Sequence, residues 1–298
     1  MGFELWYSKH TGIRRKGTSF SELQDIFIDD ITAKYIFEPL ACCQITDNPF
    51  EVKNTLEQRD FDTLGVVDDN GVKLGYIVRE KLGENTIDNY IEKFDIEIVI
   101  SESTPLSELF EILLEKEYVY ILSKNTIDGI VTRADINKPI VRIYLFGLIS
   151  LFELHLNYWI TQNYDNKSWI DVLKQVRIES AEKIFNERKG NNVQLTLLEC
   201  IQMCDKRDIL RTTDDFIKEF DFTKNGFERL LKDVEKIRNE LAHSQNSIIA
   251  NLEWTVFVNT IKNAKEFVGF PKNVGFPKNR TVNYSNLLTL NSNCHNEK

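Results

Sequence analysis

The 298-residue chain lacks the marks of export. Its opening residues, MGFELWYSKHTGIRRK, place their charges after a short apolar patch and carry neither the apolar core nor the small-residue cleavage site of a signal peptide. It also lacks a long uninterrupted apolar run. The longest such stretch, Tyr144 to Ile160, is broken by Glu153, His155 and Asn157, so a buried helix is expected there instead of a membrane span. These absences predict a cytoplasmic protein with no membrane partner. Cysteine is sparse and unpaired: the five residues at 42, 43, 200, 204 and 294 are odd in number and form no C-x-x-C framework, which excludes a disulfide scaffold. Cys200 and Cys204 lie about one helical turn apart, but no histidine or second thiol pair stands near them, and no metal site is expected. A surplus of positive charge is missing as well. Residues 1–139 carry 15 basic and 26 acidic side chains, residues 140–270 carry 18 and 19, and the tail carries 4 and 1. A chain with this acidic first half has no general grip on nucleic acid, DNA is not expected as a partner, and any phosphate chemistry must depend on a local cleft.

With 42% apolar and 28% charged side chains, the composition supports two modest cores. The first half contains an internal repeat. Asn48-Pro49-Phe50 opens one copy and Thr104-Pro105-Leu106 opens a second, 56 residues later. In the first copy a helix with Val52 and Leu56 leads to a strand over 63–68, a turn at Asp69-Asn70-Gly71 and a strand around Gly75-Tyr76-Ile77-Val78. In the second, Leu106, Leu109, Phe110 and Leu113 mark a helix face, Tyr118 to Leu122 a strand, and Gly129-Ile130-Val131-Thr132 its hairpin partner. Each copy is too small to bury its sheet alone, so the two should pack together.

This order of helix, hairpin and the run GIVTRAD resembles a tandem CBS (Bateman) pair over residues 34–139. The resemblance implies a ligand-sensing module that binds an adenosine-containing small molecule, a regulatory adenine nucleotide or a relative of one. Gly129, Thr132 and Asp135 match the family's Gly, Ser/Thr, Asp pattern. It implies that Asp135 accepts hydrogen bonds from a ribose diol, that Thr132 and helix N-terminal amides face phosphate, and that adenine lies near Ile98, Ile100 and Ile130. The first copy departs from the pattern, with Val78 and Lys81 in place of hydroxyl and carboxylate, so one intact site per chain is expected. A Thr in a strand followed by an Asp at a helix start is also an ordinary capping arrangement.

After Asp135 the run INKPIVRIYLFGLISLFELHLNYWI has Pro139 where a first helical turn accepts it, and Gly147 alone is too weak to break so apolar a helix. One helix to about residue 160 is expected to join the halves with little slack. Further helices are expected over 168–189, 194–211, 214–220, 223–246 and 252–268, with no strand among them. In the 223–246 segment Phe227, Leu230, Leu231, Val234, Ile237 and Leu241 form a buried stripe, closed by Arg238-Asn239-Glu240-Leu241-Ala242-His243.

An Arg, four residues and a His near the end of a penultimate helix, with a long apolar first helix bearing Glu153, resembles the HEPN family over residues 140–270. The resemblance implies RNA cleavage without metal or catalytic cofactor. A ribose 2′-hydroxyl attacks the adjacent phosphate, leaving a 2′,3′-cyclic phosphate and a 5′-hydroxyl. Under it His243 moves the proton, Arg238 holds the phosphate, Asn239 supports either group and Glu153 orients them. Positions 238 and 243 lie about 140° apart on a helix, too far round for one compact site. A homodimer that brings two helix ends together resolves this. A helix-terminal His243 facing the helix dipole and a surface Arg238 paired with a nearby Glu is the plain alternative.

The sequence therefore predicts an α+β chain: an N-terminal extension (1–33), an α/β CBS pair (34–139), an all-α HEPN-like bundle (140–270) and a flexible tail (271–298). VGFPKN is repeated at 268–273 and 274–279, in a linker tolerant of duplication. The expected function is a nucleotide-regulated ribonuclease of the toxin or anti-phage and stress type. A non-catalytic nucleotide-sensing adaptor is the alternative.

Overall fold

A computed structural model describes residues 25–190, 195–220, 222–243, 247–248 and 252–269. The expected flexible tail, all but the first two residues of the hexapeptide repeat and most of the N-terminal extension lie outside these residues.

The first half runs β1 (Glu38–Pro39), β2 (Cys42–Gln44), α1 (Pro49–Arg59), β3 (Thr63–Val67), β4 (Lys73–Val78), β5 (Val99–Ser101), α2 (Leu106–Glu115), β6 (Tyr118–Ser123) and β7 (Thr126–Thr132). Local chemistry sets most of these bounds. Asn48 caps α1 by accepting from the Phe50 N–H at 2.9 Å, Pro49 occupies the first turn, and Asp60 ends the helix in a left-handed conformation. The β3–β4 turn is held by Asp68 Oδ1, which accepts from the N–H groups of Asn70 and Val72, while Gly71 takes a φ of 78°. The β6–β7 turn uses Lys124 and Asn125, both at positive φ, which is the twist a two-residue hairpin needs.

The two sheets are β2-β3-β4 and β1-β7-β6-β5. β1 comes from ahead of the first copy yet pairs with β7 of the second, Glu38 opposite Ile130 and Pro39 opposite Gly129. Residues just before it follow the same course. The N–H groups of Ala33 and Lys34 donate to the carbonyls of Thr104 and Glu102, and Leu106 N–H donates to Ile31 O.

The second half is helical: α3 (Pro139–Asn163), α4 (Gln175–Lys189), α5 (Met203–Arg211), α6 (Asp214–Glu219), α7 (Lys224–His243) and α8 (Trp254–Gly269). The α+β class predicted from sequence holds. Two predicted helices are shorter than expected. The 168–189 segment is a 3₁₀ stretch, Asp165–Val172, with positive φ at Asn166 and Lys167, followed by extended Leu173 and Lys174 before α4 begins. In the 194–211 segment Thr196 with Glu199, and Gln202 with Asp205, form successive capping boxes that restart the chain at residues 197 and 203.

α3 is one unbroken helix about 37 Å long at the standard rise. It does not continue from the turn that carries Asp135. That turn is 3₁₀ (Arg133–Asn137), and Lys138 is extended between them, because a residue before proline is driven out of the α region. Length and composition would let α3 cross a membrane, yet it is packed against α5, α7 and α8. Leu148, Phe152, Leu156 and Ile160 are fully buried.

A single core runs through the second sheet and all the long helices except α1. Leu109, Phe110 and Leu113 of α2 join Phe152 of α3, Phe227 and Val234 of α7 and Phe257 and Phe267 of α8. The first copy keeps a small core of its own around Val52, Leu56, Val66 and Ile77.

Candidate functional site

At the end of β7, Thr132 and Asp135 face each other in a capping box. Asp135 Oδ2 accepts from the Thr132 N–H at 2.7 Å and from Thr132 Oγ1 at 3.2 Å, while Thr132 Oγ1 accepts from the Ala134 N–H at 3.3 Å. The other oxygen, Oδ1, pairs with Lys138 Nζ at 2.8 Å. Lys138 also donates to the carbonyl of Ile36 and meets Glu38, tying the turn to β1. Both oxygens of the buried Asp135 are thus engaged within the chain, Oδ2 by two donors and Oδ1 by one.

Ile130 and Thr132 lie on one face of β7, opposite Tyr120 and Tyr118 of β6. Ile98 and Ile130 join Leu40, Tyr76, Phe94, Tyr118 and Tyr120 in an apolar seam between the two copies. Ile100 packs instead against the main core. Four of the five residues proposed for the sensor therefore share one side of the sheet or its end, and the fifth turns away from them.

The aromatic character of this seam was missed. Tyr120 is the hub, with ring centroids 4.9 Å from Tyr76, 4.9 Å from Phe94 and 5.6 Å from Tyr118. Its hydroxyl meets Thr63 Oγ1 at 2.6 Å, and Thr63 Oγ1 donates to Ile77 O. Tyr76 donates to Glu92 at 3.0 Å, and Lys81 closes on the same carboxylate at 2.5 Å. The Lys81 hydrogen bond is the main reason Glu92 sits below the usual carboxylate range; burial and then the Glu92 contact push the Tyr76 phenol up. The alternation Tyr118-Val119-Tyr120 was the available signal, since it puts both rings on one face.

In the second half, Arg238 Nε lies 3.3 Å from Glu153 Oε1, joining α7 to α3. The two residues singled out on separate helices are brought together. Arg238 is half exposed and Asn239 is exposed beside it. His243 closes α7, and its side chain lies outside the described residues. Leu241, three residues on from Arg238, lines with Arg142, Ile143 and Phe146 a hollow of about 270 Å³. Phe146 is 69% and Ile143 52% exposed, more than the rest of this apolar helix would lead one to expect.

Between these regions runs a set of bonds that periodicity does not reveal. Arg133, within the Thr132–Asp135 turn, donates from Nε to Leu113 O at 2.8 Å and from its guanidinium end to Leu114 O at 3.1 Å. The Trp254 indole N–H shares the Leu113 carbonyl at 3.0 Å, and Arg133 lies 5.8 Å over the Trp254 ring. From the same turn, Asn137 Oδ1 accepts from the Ile248 N–H at 3.0 Å. Lys265 of α8 donates to Ser107 and Lys262 meets Glu111, both on α2.

The family model described as "CBS domain" matches residues 95–142. No curated protein matches the chain. Among solved structures, the chain is similar to the CBS domains of a transcriptional regulator from Streptococcus pneumoniae, at 19% identity and a TM-score of 0.32, over 36% of this chain and 98% of that one. It is also similar to the CBS-pair protein CBSX2 from Arabidopsis thaliana, at 18% identity and a TM-score of 0.31, over 39% and 95%. A third is CbpB in complex with c-di-AMP, at 16% identity and a TM-score of 0.33, over 42% and 93%.

Proposed function

We propose that this chain is a ligand-controlled, metal-independent endoribonuclease that senses an adenine nucleotide at its CBS pair and cuts RNA in a dimer groove built from the ends of α7. One observation carries the reading. The turn bearing Thr132 and Asp135 meets, through Arg133 and Asn137, the Trp254 ring and the Ile248 N–H, and Arg133 and Trp254 share the Leu113 carbonyl; Ile248 and Trp254 follow the Arg238–His243 motif in sequence. A ligand that takes Asp135 from Thr132 or Lys138 disturbs this turn, and the turn is fastened to residues that follow the helix on which the motif ends.

Histidine suits the proton transfer because its ordinary pKa of about 6.5 lets it accept and return a proton near neutrality. Arg238 offers a permanently charged fork to the phosphate once it leaves Glu153. The exposed Ile143 and Phe146, which line a hollow with Leu241 of the motif, give a second copy an apolar surface to cover, which would set two motifs against each other.

The test is RNA cleavage by the purified full-length protein, with and without AMP, ATP, S-adenosylmethionine and cyclic dinucleotides. His243→Ala is expected to lower cleavage by about 10²-fold or more. Cleavage equal to wild type removes the mechanism. The second reading, a non-catalytic nucleotide-sensing adaptor, is favoured by the Glu153–Arg238 pair, which leaves the guanidinium in a surface ion pair. No RNA cleavage under any ligand, with ligand binding intact, selects it.

A further inference from the structure

Among the described residues the first sheet ends on β2, which has β3 on one side and no strand on the other. Gly65 N–H donates to Ala41 O and Ile45 N–H donates to Val67 O, so the alternate residue Cys42 turns its own N–H and C=O out from the edge. Gln44, the other outward residue, is closed off. Its N–H donates to Asp47 Oδ2 at 2.8 Å and its carbonyl accepts from the Asp47 N–H. Between this edge and α1 runs a groove of about 310 Å³, with the exposed Cys42 on its strand side and Glu51, Thr55 and Arg59 on its helix side. These three recur every four residues and form one exposed row. Thr55 Oγ1 bonds back to the Glu51 carbonyl, while the Glu51 carboxylate and the Arg59 guanidinium have no hydrogen-bond or ion-pair partner among the described residues. An acid early and a base late in a helix suit its dipole, and α2 repeats the arrangement with Glu108 and Lys116. There, however, Lys116 is paired with Glu97 at 3.6 Å. On α1 both charges stay free and face an open strand edge.

We propose that this edge is an interface between two copies of the chain, β2 pairing with β2 across a two-fold axis while the Glu51-Thr55-Arg59 row of α1 packs on its own copy. The row is its own complement. Acid and base stand about 6 Å on either side of a small residue, so an axis at Thr55 sets the Arg59 of each copy against the Glu51 of the other in two identical ion pairs. The same axis, perpendicular to the sheet, runs the two strands antiparallel. Cys42 then meets Cys42 and the pair exchanges two backbone hydrogen bonds, which joins two three-stranded sheets into one. Exposed ion pairs add little affinity, so their task here is to fix register and partner. The interface is separate from the Ile143 and Phe146 surface and does not rest on the ribonuclease reading.

The experiment is sedimentation velocity of the full-length protein over a range of concentrations, for wild type, Glu51→Arg, Arg59→Glu, the double exchange of both, and Phe146→Asp. Wild type should associate. Each single reversal puts two like-charge pairs across the axis and should weaken association about tenfold or more. The double exchange restores opposite charges and should return to within about threefold of wild type. Both reversals oppose the helix dipole and the double exchange opposes it twice, so its recovery cannot come from a steadier α1. Recovery in the double exchange, with Phe146→Asp unaffected, keeps this interface and removes the α3 surface from the ribonuclease reading. Association that ignores all the charge variants and is lost in Phe146→Asp puts the two-fold on α3, which ends this interface and leaves the ribonuclease dimer standing. A double exchange as weak as the single reversals overturns the proposal. So does a wild type that stays monomeric at every concentration, which leaves the β2 edge to a strand of another molecule.

Discussion

His155 lies in α3 with its ring 5.8 Å from Phe267, and burial drives its pKa down to about 3. In the unfolded chain the same group titrates near 6.5, so between these values the unfolded state binds the extra proton. The neutral ring's contribution is complete above about pH 6.5 and is lost as the pH falls toward 3. One proton corresponds to a slope of about 1.4 kcal/mol per pH unit. His155→Leu should remove about one proton of uptake on unfolding at pH 5, measured from the dependence of unfolding free energy on pH. An unchanged slope would show that His155 is solvated in solution. Gly75 makes a different demand. A Cβ there would lie 2.2 Å from the backbone carbonyl oxygen of Glu92, and the N–H groups of Tyr76 and Glu92 donate to each other's carbonyls beside it. Gly75→Ala should cost about 1–3 kcal/mol, the usual result of overpacking, and show as a lower midpoint in urea. The glycine of this motif, and equally Gly129 beneath the Phe37 ring, makes room for a neighbouring segment of the chain.

Among the elements, the α2–α8 contact and the Arg133 turn offer the clearest handle on communication. Arg133→Met together with Asn137→Ala should leave nucleotide affinity nearly intact and abolish the effect of nucleotide on RNA cleavage, read by calorimetry and by cleavage rate respectively. Regulation that survives this double change would move the coupling to α3. Elements whose limits come from contiguous residues were legible in the sequence. The faces of α2 and α7 follow from apolar spacing, and the Asn48-Pro49 start and the turn at Gly71 follow from backbone chemistry. The 3₁₀ segments were not, because Glu199 and Asp205 read as helix-compatible residues until their side chains are seen to bond back to the chain. Within the candidate sites, the Glu153–Arg238 meeting could be guessed only through the family likeness. Asn137 could not be guessed at all, since partners 111 residues apart, as Asn137 and Ile248 are, leave no periodic trace.

For the whole molecule, one core shared by the second sheet and the helices sets how the chain unfolds. A fragment ending at residue 139 would lay bare Leu109, Phe110 and Leu113, all fully buried against the helices. About 25 cal/mol per Å² of lost apolar burial makes such a fragment marginal. It should melt without a cooperative transition in calorimetry, whereas the full chain should give one main transition. A fragment that melts sharply near the full-length temperature would mean that the β/α half is self-sufficient. The path of residues 31–39 bears on how such chains are built and rebuilt. Because this stretch precedes the first copy but completes the sheet of the second, the repeat seen in the sequence is not the unit that can be exchanged. A graft of the second copy that starts at Thr104 would leave behind two strands of its sheet, β1 and β5, and the backbone partner of the Thr104 carbonyl. Domain shuffling, natural or engineered, has to cut ahead of Ile31 and carry both copies together.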